Sequence, residues 1–255
     1  MNITNANQTL GFDKFSESDY NKHWSFSNFN RMLMAAGQIA QLPQNSKVLE
    51  LGAGTSDLEN LVKKNFKRED IEFIKIDGDE KYNSRPDIFV LDITSKECFN
   101  FCVKHGPFDA VVFMEVIEHL LYKEACDVFC KISAILKHEG MMLFTTPTPP
   151  FNGKYEDRVW PTDHDFEFTF SKICDIINME FKIIKKIGWS LEEREYNELL
   201  ESDPAMSVIC SKLRGAFPES YVRAIIACLS PVQANRQIFL VCKKRRIANG
   251  RFTQT

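Results

Sequence analysis

Short apolar runs alternate with helical stripes along most of this 255-residue chain. Val48 to Leu51, Ile71 to Ile76, Asp87 to Ile93, Phe108 to Met114, Met141 to Thr146, Phe181 to Ile187 and Gln237 to Cys242 read as strands. Each is short, apolar or alternating, and bounded by turn residues. Helical patterns separate them: Leu58 to Asn65, Ser95 to His105, Ile132 to His138 closed by Gly140, and Ser171 to Asn178. Such alternation predicts an α/β fold, a doubly wound, seven-stranded, mostly parallel sheet. Upstream, Arg31 to Ala40 is helical, with Met32, Ala36 and Ile39 on one core-facing stripe. The last two strands are expected to close the sheet as an antiparallel edge. Between them lie helical stretches near Leu191–Leu200, Met206–Leu213 and Ser220–Leu229, more chain than a connection needs. The predicted organisation is an N-terminal helical segment (1–45), a core (46–188 with 236–246), a helical cap over the substrate mouth (189–235) and a tail (247–255).

The first strand breaks into Gly52-Ala-Gly54-Thr-Ser-Asp57 and then a helix. Glycines there permit a sharp turn and close approach of a ligand to the backbone, and the helix start offers N–H groups to it. Asp57 occupies the last position of a G-x-G-x-x-G pattern, where its charge would repel a pyrophosphate, which argues against NAD. Asp77, 25 residues past Gly52 at the tip of the second strand, has the chemistry to accept both hydroxyls of a ribose.

Composition narrows the partners. Net charge is −3, so no global field draws nucleic acid, DNA included, or anionic membrane, and Lys243–Arg246 is the only basic run. Eight cysteines scattered through apolar segments read as reduced, buried thiols. The polar, Asn-rich opening and the lack of a long apolar run predict a soluble, cytoplasmic protein without a membrane span.

Glu50-Leu-Gly-Ala-Gly-Thr resembles the first motif of class I S-adenosylmethionine (SAM) dependent methyltransferases, and later stretches follow that family's order from Ser46 to Trp189 and again near Gln237. The resemblance implies SAM as cofactor. Gly52 and Gly54 would pass under its methionine part and Glu50 would help fix that end. Asp77 would take the ribose, with Asp79 as the lesser candidate, and Asp92 and Ile93 the adenine. Met114 and Glu115 would stand by the methyl group. The N-terminal segment would lid the pocket with Tyr20 and Trp24.

Glu115-Val-Ile-Glu118-His119 follows the fourth strand, with i, i+3, i+4 spacing that predicts one helical face carrying all three side chains. With His164, the set resembles the metal-binding methyltransferases that modify the 3′-terminal 2′-hydroxyl of small RNAs. There Glu115, Glu118, His119 and His164 would hold manganese, iron or zinc, a Lewis acid for the hydroxyl. The same segment resembles O-methyltransferases of ubiquinone biosynthesis, which implies no metal. In that case His164 or His119 takes the substrate proton, and Asp163 or Glu115 orients it.

RNA recognition calls for a basic stripe and stacking aromatics. Here the balance is acidic, Phe168 stands where the RNA family usually has Trp, and Thr148 where it has Asn. A small-molecule or sugar-containing acceptor, methylated on oxygen, is therefore the favoured expectation, with RNA as the alternative. A non-catalytic SAM-binding module would retain Glu50, Gly52, Gly54, Asp77 and Asp92 but lose the acids and histidines of the rim, which are present. The acceptor and the oligomeric state are not written in the sequence.

Overall fold

Parallel strands covered on both faces need apolar side chains on both, and the central strands have them. In the computed structural model, which describes residues 26–54, 57–148, 168–191, 193–217, 219–230 and 237–245, Val48, Leu49, Val111, Val112 and Phe113 are fully buried. The strands are β1 (Lys47–Leu51), β2 (Glu72–Asp77), β3 (Phe89–Val90), β4 (Phe108–Met114), β5 (Leu136–Pro147), β6 (Phe181–Ser190) and β7 (Gln237–Lys244). They form one seven-stranded sheet in the order β3-β2-β1-β4-β5-β7-β6. Strand β7 runs antiparallel to both β5 and β6, and the remaining pairs are parallel. The expected α/β, doubly wound, mostly parallel sheet is thus the fold found. Only β7 is reversed, and it lies between β5 and β6 while β6 forms the edge.

Alternation along each strand sorts side chains to two layers. On one face Leu49, Leu51, Val111 and Phe113 meet α3 (Lys96–His105), α4 (Tyr122–Ile135) and α5 (Phe170–Glu180) through Cys98, Cys102, Phe129, Ile132 and Ile176. On the other, Val48, Ala110, Val112 and Leu143 meet α1 (Phe26–Ile39) and α2 (Leu58–Asn60, continuing as a wider turn over Leu61–Asn65). The α1 stripe Met32, Ala36 and Ile39 is buried here as expected, and Ile39 alone contributes about 1.5–3 kcal/mol by leaving water. Arg68 closes the end of α1 by donating to the carbonyls of Leu42 and Pro43, each at 2.9 Å.

Helices α6 (Glu193–Ser202), α7 (Pro204–Arg214) and α8 (Glu219–Leu229) fall between β6 and β7. They have a core of their own, in which Tyr196, Leu199, Cys210, Val222 and Ile226 are buried. Helix α8 also packs on β6 and α1. All eight cysteines are free thiols, but the expected burial holds only for Cys98, Cys102, Cys210 and Cys242; Cys126, Cys130 and Cys174 are half-buried and Cys228 is exposed.

Several boundaries differ from the sequence reading: α1 begins at Phe26, β5 at Leu136, and β6 runs on to Ser190. Strand β3 is only Phe89–Val90, because Asp87 is drawn into ion pairs with Lys75 and Arg85 and Asp92 turns back on Thr94. Helix α4 stops at Ile135, not His138, because Leu136 already pairs with Phe108 in the sheet. No helix among the described residues is long and apolar enough to cross a membrane.

Candidate functional site

Chain order reverses between β1 and β4, and in open α/β sheets the crevice outside the carboxyl ends of the strands at such a switch point is where ligands bind. Three segments bring side chains to that crevice.

The first is the turn after β1. Gly52 (φ 72°) and Gly54 (φ 51°) both adopt left-handed backbone, which only glycine enters without strain. Gly52 and Ala53 donate their N–H groups to the Ile76 carbonyl, at 2.9 and 3.0 Å. Val116 Cγ2 fills the place that a Cβ on Gly52 would take, so no side chain larger than hydrogen fits at this position. Gly54 faces more open space, with the Tyr82 hydroxyl 3.7 Å from where a Cβ would lie. Glu50 is buried on β1, just before the turn.

The second is the tip of β2. Asp77 accepts from Gly54 N–H at 2.7 Å on Oδ2 and from Asp79 N–H at 2.9 Å on Oδ1. Asp79 instead caps the short turn Glu80–Ser84 and pairs with Lys81 in solvent. Asp92 and Ile93 stand in the loop after β3, where Asp92 Oδ1 accepts from Thr94 N–H and Oγ1 at 2.9 and 2.8 Å.

The third is the rim after β4, where the expected helix does not form. Glu115 turns the chain with φ 54°, and Ile117–His119 is a single tight turn of 3₁₀ type. A 3₁₀ turn and a left-handed residue do not stack i, i+3 and i+4 on one face. Glu118 is fully buried with Oε2 3.2 Å from the Thr146 hydroxyl, while His119 is exposed. Burial, with the Glu115 charge behind it, pushes the Glu118 carboxyl well above the usual range, toward the protonated acid. Glu115 is half-buried, accepts from Thr145 Oγ1 at 2.8 Å, and pairs with Arg31 Nη1 at 3.2 Å. Met114 is the last residue of β4, paired with Thr145.

Among the described residues no three His, Cys, Asp or Glu side chains converge as metal ligands. The described part of the Glu115, Glu118, His119, His164 set therefore does not form the ligand shell that the small-RNA resemblance implies. Asp163, His164, Tyr20 and Trp24 lie outside the described residues.

Sequence reasoning missed Arg31, Thr145, Thr146 and Val116. Arg31 is the only charged residue in α1, and the threonines are the only hydroxyls in the apolar run of β5. Those two exceptions to the pattern were the available signal.

A family model described as a methyltransferase domain matches residues 22–199. The chain belongs to the methyltransferase-domain family. With this sheet order and glycine turn it is a SAM-dependent methyltransferase. No curated protein matches the chain. Among solved structures, the methyltransferase resembles the 1,6-didemethyltoxoflavin N1-methyltransferase of Burkholderia thailandensis. The identity is 12%, the TM-score is 0.53, and the match covers 96% of this chain and 90% of that one. The cyclase SpnF matches at 17% identity and TM-score 0.53, over 84% of this chain and 80% of that one. The PH0226 protein of Pyrococcus horikoshii OT3 matches at 14% and 0.52, over 87% and 92%. At these identities the likeness is one of fold. The methyltransferase's own residues suit SAM: an acid at the tip of β2 for the ribose, a left-handed glycine turn beside it, and a buried acid on β1.

Proposed function

We propose that this methyltransferase transfers a methyl group from SAM to a hydroxyl oxygen of a small or sugar-containing molecule. What supports the reading is one arrangement. The Asp77–Gly54 pair stands at the carboxyl ends of β1 and β2, and the Arg31–Glu115–Thr145 group at the carboxyl end of β4, the strand next to β1. Glu50, Gly52, Gly54 and Asp77 would hold the methionine and ribose parts of SAM, Asp92 and Ile93 the adenine, and Met114 the region of the methyl group. When bound, SAM supplies a methyl on a sulfonium already disposed to leave.

The chain then has two tasks. It must hold the acceptor oxygen in line with the methyl, which accounts for most of the acceleration in such displacements. It must also take up the hydroxyl proton as the carbon–oxygen bond forms and the carbon–sulfur bond breaks. Glu115 has both carboxylate oxygens engaged, which suits orientation and charge placement more than proton removal. Proton removal falls to an imidazole, His119 on the exposed rim or His164, with Asp163 as orienting acid for the latter. An amine acceptor would need less of this apparatus. Helices α6–α8 are read as the enclosure for the acceptor.

The test is to incubate the protein with methyl-labelled SAM and, separately, a low-mass metabolite fraction and an RNA fraction. Label is expected in a low-mass product as an O-methyl group. Label on nitrogen would overturn the oxygen assignment, and label at RNA 3′ ends would overturn the small-molecule one.

A further inference from the structure

Among the described non-glycine residues, Asn45 (φ 59°), Lys67 (φ 57°) and Glu115 (φ 54°) have left-handed backbone. Asn45 and Lys67 are exposed, in connections between elements. Glu115 is different: half-buried, at the tip of a central strand, and inside the candidate site. A residue with a Cβ stays in that region only where its surroundings hold it there.

The surroundings are on view. Glu115 donates its N–H to the Thr145 carbonyl at 3.0 Å and accepts from the Thr145 hydroxyl on Oε1 at 2.8 Å. Its other carboxylate oxygen pairs with Arg31 at 3.2 Å. So backbone and side chain are tied to one residue of β5, and the outer edge of the carboxylate to α1. The turn at Glu115 takes the chain out of β4, and the next residue, Val116, is buried with Cγ2 in the space that a Cβ on Gly52 would need. The rim after β4 thus props the turn after β1.

We propose that Thr145 and Val116, with Arg31 as the outer tie, are positioning residues for the cofactor turn. Thr145 holds Glu115 left-handed, Glu115 aims Val116, and Val116 sets the path of Gly52. The proposal rests on the SAM reading above. It also accounts for the fully buried hydroxyl in β5: Thr145 has no surface open to solvent and its hydroxyl is spent on Glu115, so its effect on binding passes through Glu115.

Two measurements test it, neither requiring the acceptor. Glu115→Gly and Glu115→Ala both delete the carboxylate and its contacts, so their melting temperatures differ by the backbone alone. The glycine variant is expected to melt higher, the reverse of the order in ordinary helix or strand. Calorimetric titration with S-adenosylhomocysteine is the second. Thr145→Val should bind about ten-fold more weakly, the loss of a hydrogen bond to a charged group, and Thr145→Ser should stay within about two-fold of the parent. Val116→Ala serves as an independent variant on a different element and should also weaken binding. If Thr145→Val and Val116→Ala bind as the parent does, or Glu115→Ala proves as stable as Glu115→Gly, the proposal is overturned while the cofactor reading stands. Failure of the parent itself to bind overturns both.

Discussion

Gly54 N–H and Asp77 Oδ2 lie 2.7 Å apart, so the turn after β1 and the acid at the tip of β2 act as one unit. The carboxylate is held by two backbone donors before any ligand arrives, with lone pairs left over for a diol. A ligand bound by Asp77 would therefore be coupled to the geometry of the turn.

Asp77→Ala should weaken S-adenosylhomocysteine binding by ~1.5–3 kcal/mol, about ten-fold or more, through loss of a charged acceptor. Asp79→Ala, which removes the cap on the turn Glu80–Ser84 and a solvent-facing pair with Lys81, should change it little. Calorimetry on both variants checks the assignment, and the reverse ranking would move the ribose role to Asp79.

Much of this unit was legible in the sequence, because strand, paired glycines, helix and a distant acid are local signals. Glu118 and His119 were misplaced because i, i+3, i+4 spacing means one face only if the backbone is α-helical. The ties from Glu115 to Thr145 and Arg31 prevent that, and they join residues far apart in sequence. Asp87 and Asp92 read as strand ends for a similar reason. Their partners, Lys75 across the sheet and Thr94 in a turn, compete with β pairing and are invisible to periodicity. Helices α6–α8 were readable as helices, but not their separate core.

A pH dependence follows from Lys75, buried on β2 with its ammonium 2.8 Å from Glu59 and 2.7 Å from Asp87. Arg85, joined by Lys75, holds the Asp87 carboxyl below the usual range. For Glu59 burial acts upward but is outweighed by Lys63 and Lys75. Both acids are depressed in the folded state, so their contribution is complete above the unfolded values near ~4 and is lost as pH falls through the folded ones. Thermal melts should show stability dropping on acidification below about pH 4. Lys75→Met should lower stability at pH 7 by ~1.5–3 kcal/mol and flatten the acid slope. Identical slopes in parent and variant would contradict this.

The small core of α6–α8 predicts separable behaviour. Tyr196 is buried there with its hydroxyl 2.8 Å from Cys210 Sγ. Tyr196→Ala should cost this unit ~3–5 kcal/mol, as large-to-small core changes do. Limited proteolysis should then cut within 191–229, while S-adenosylhomocysteine binding stays near the parent value. Loss of binding together with the helices would mean that the unit supports the cofactor site itself.

The burial of Glu118 and the exposure of His119 predict that no metal is gathered by this segment. Elemental analysis of the purified protein should find no stoichiometric manganese, iron or zinc, and EDTA should leave methyl transfer unchanged. One metal per chain, lost in both His119→Ala and His164→Ala, would restore the four-ligand arrangement.

The central claim is that the β1/β4 crevice takes SAM, and calorimetric titration of the purified chain tests it most directly. The account predicts saturable, one-to-one binding of both SAM and S-adenosylhomocysteine, and none of NAD. Absence of SAM binding, or binding of NAD in its place, would contradict it.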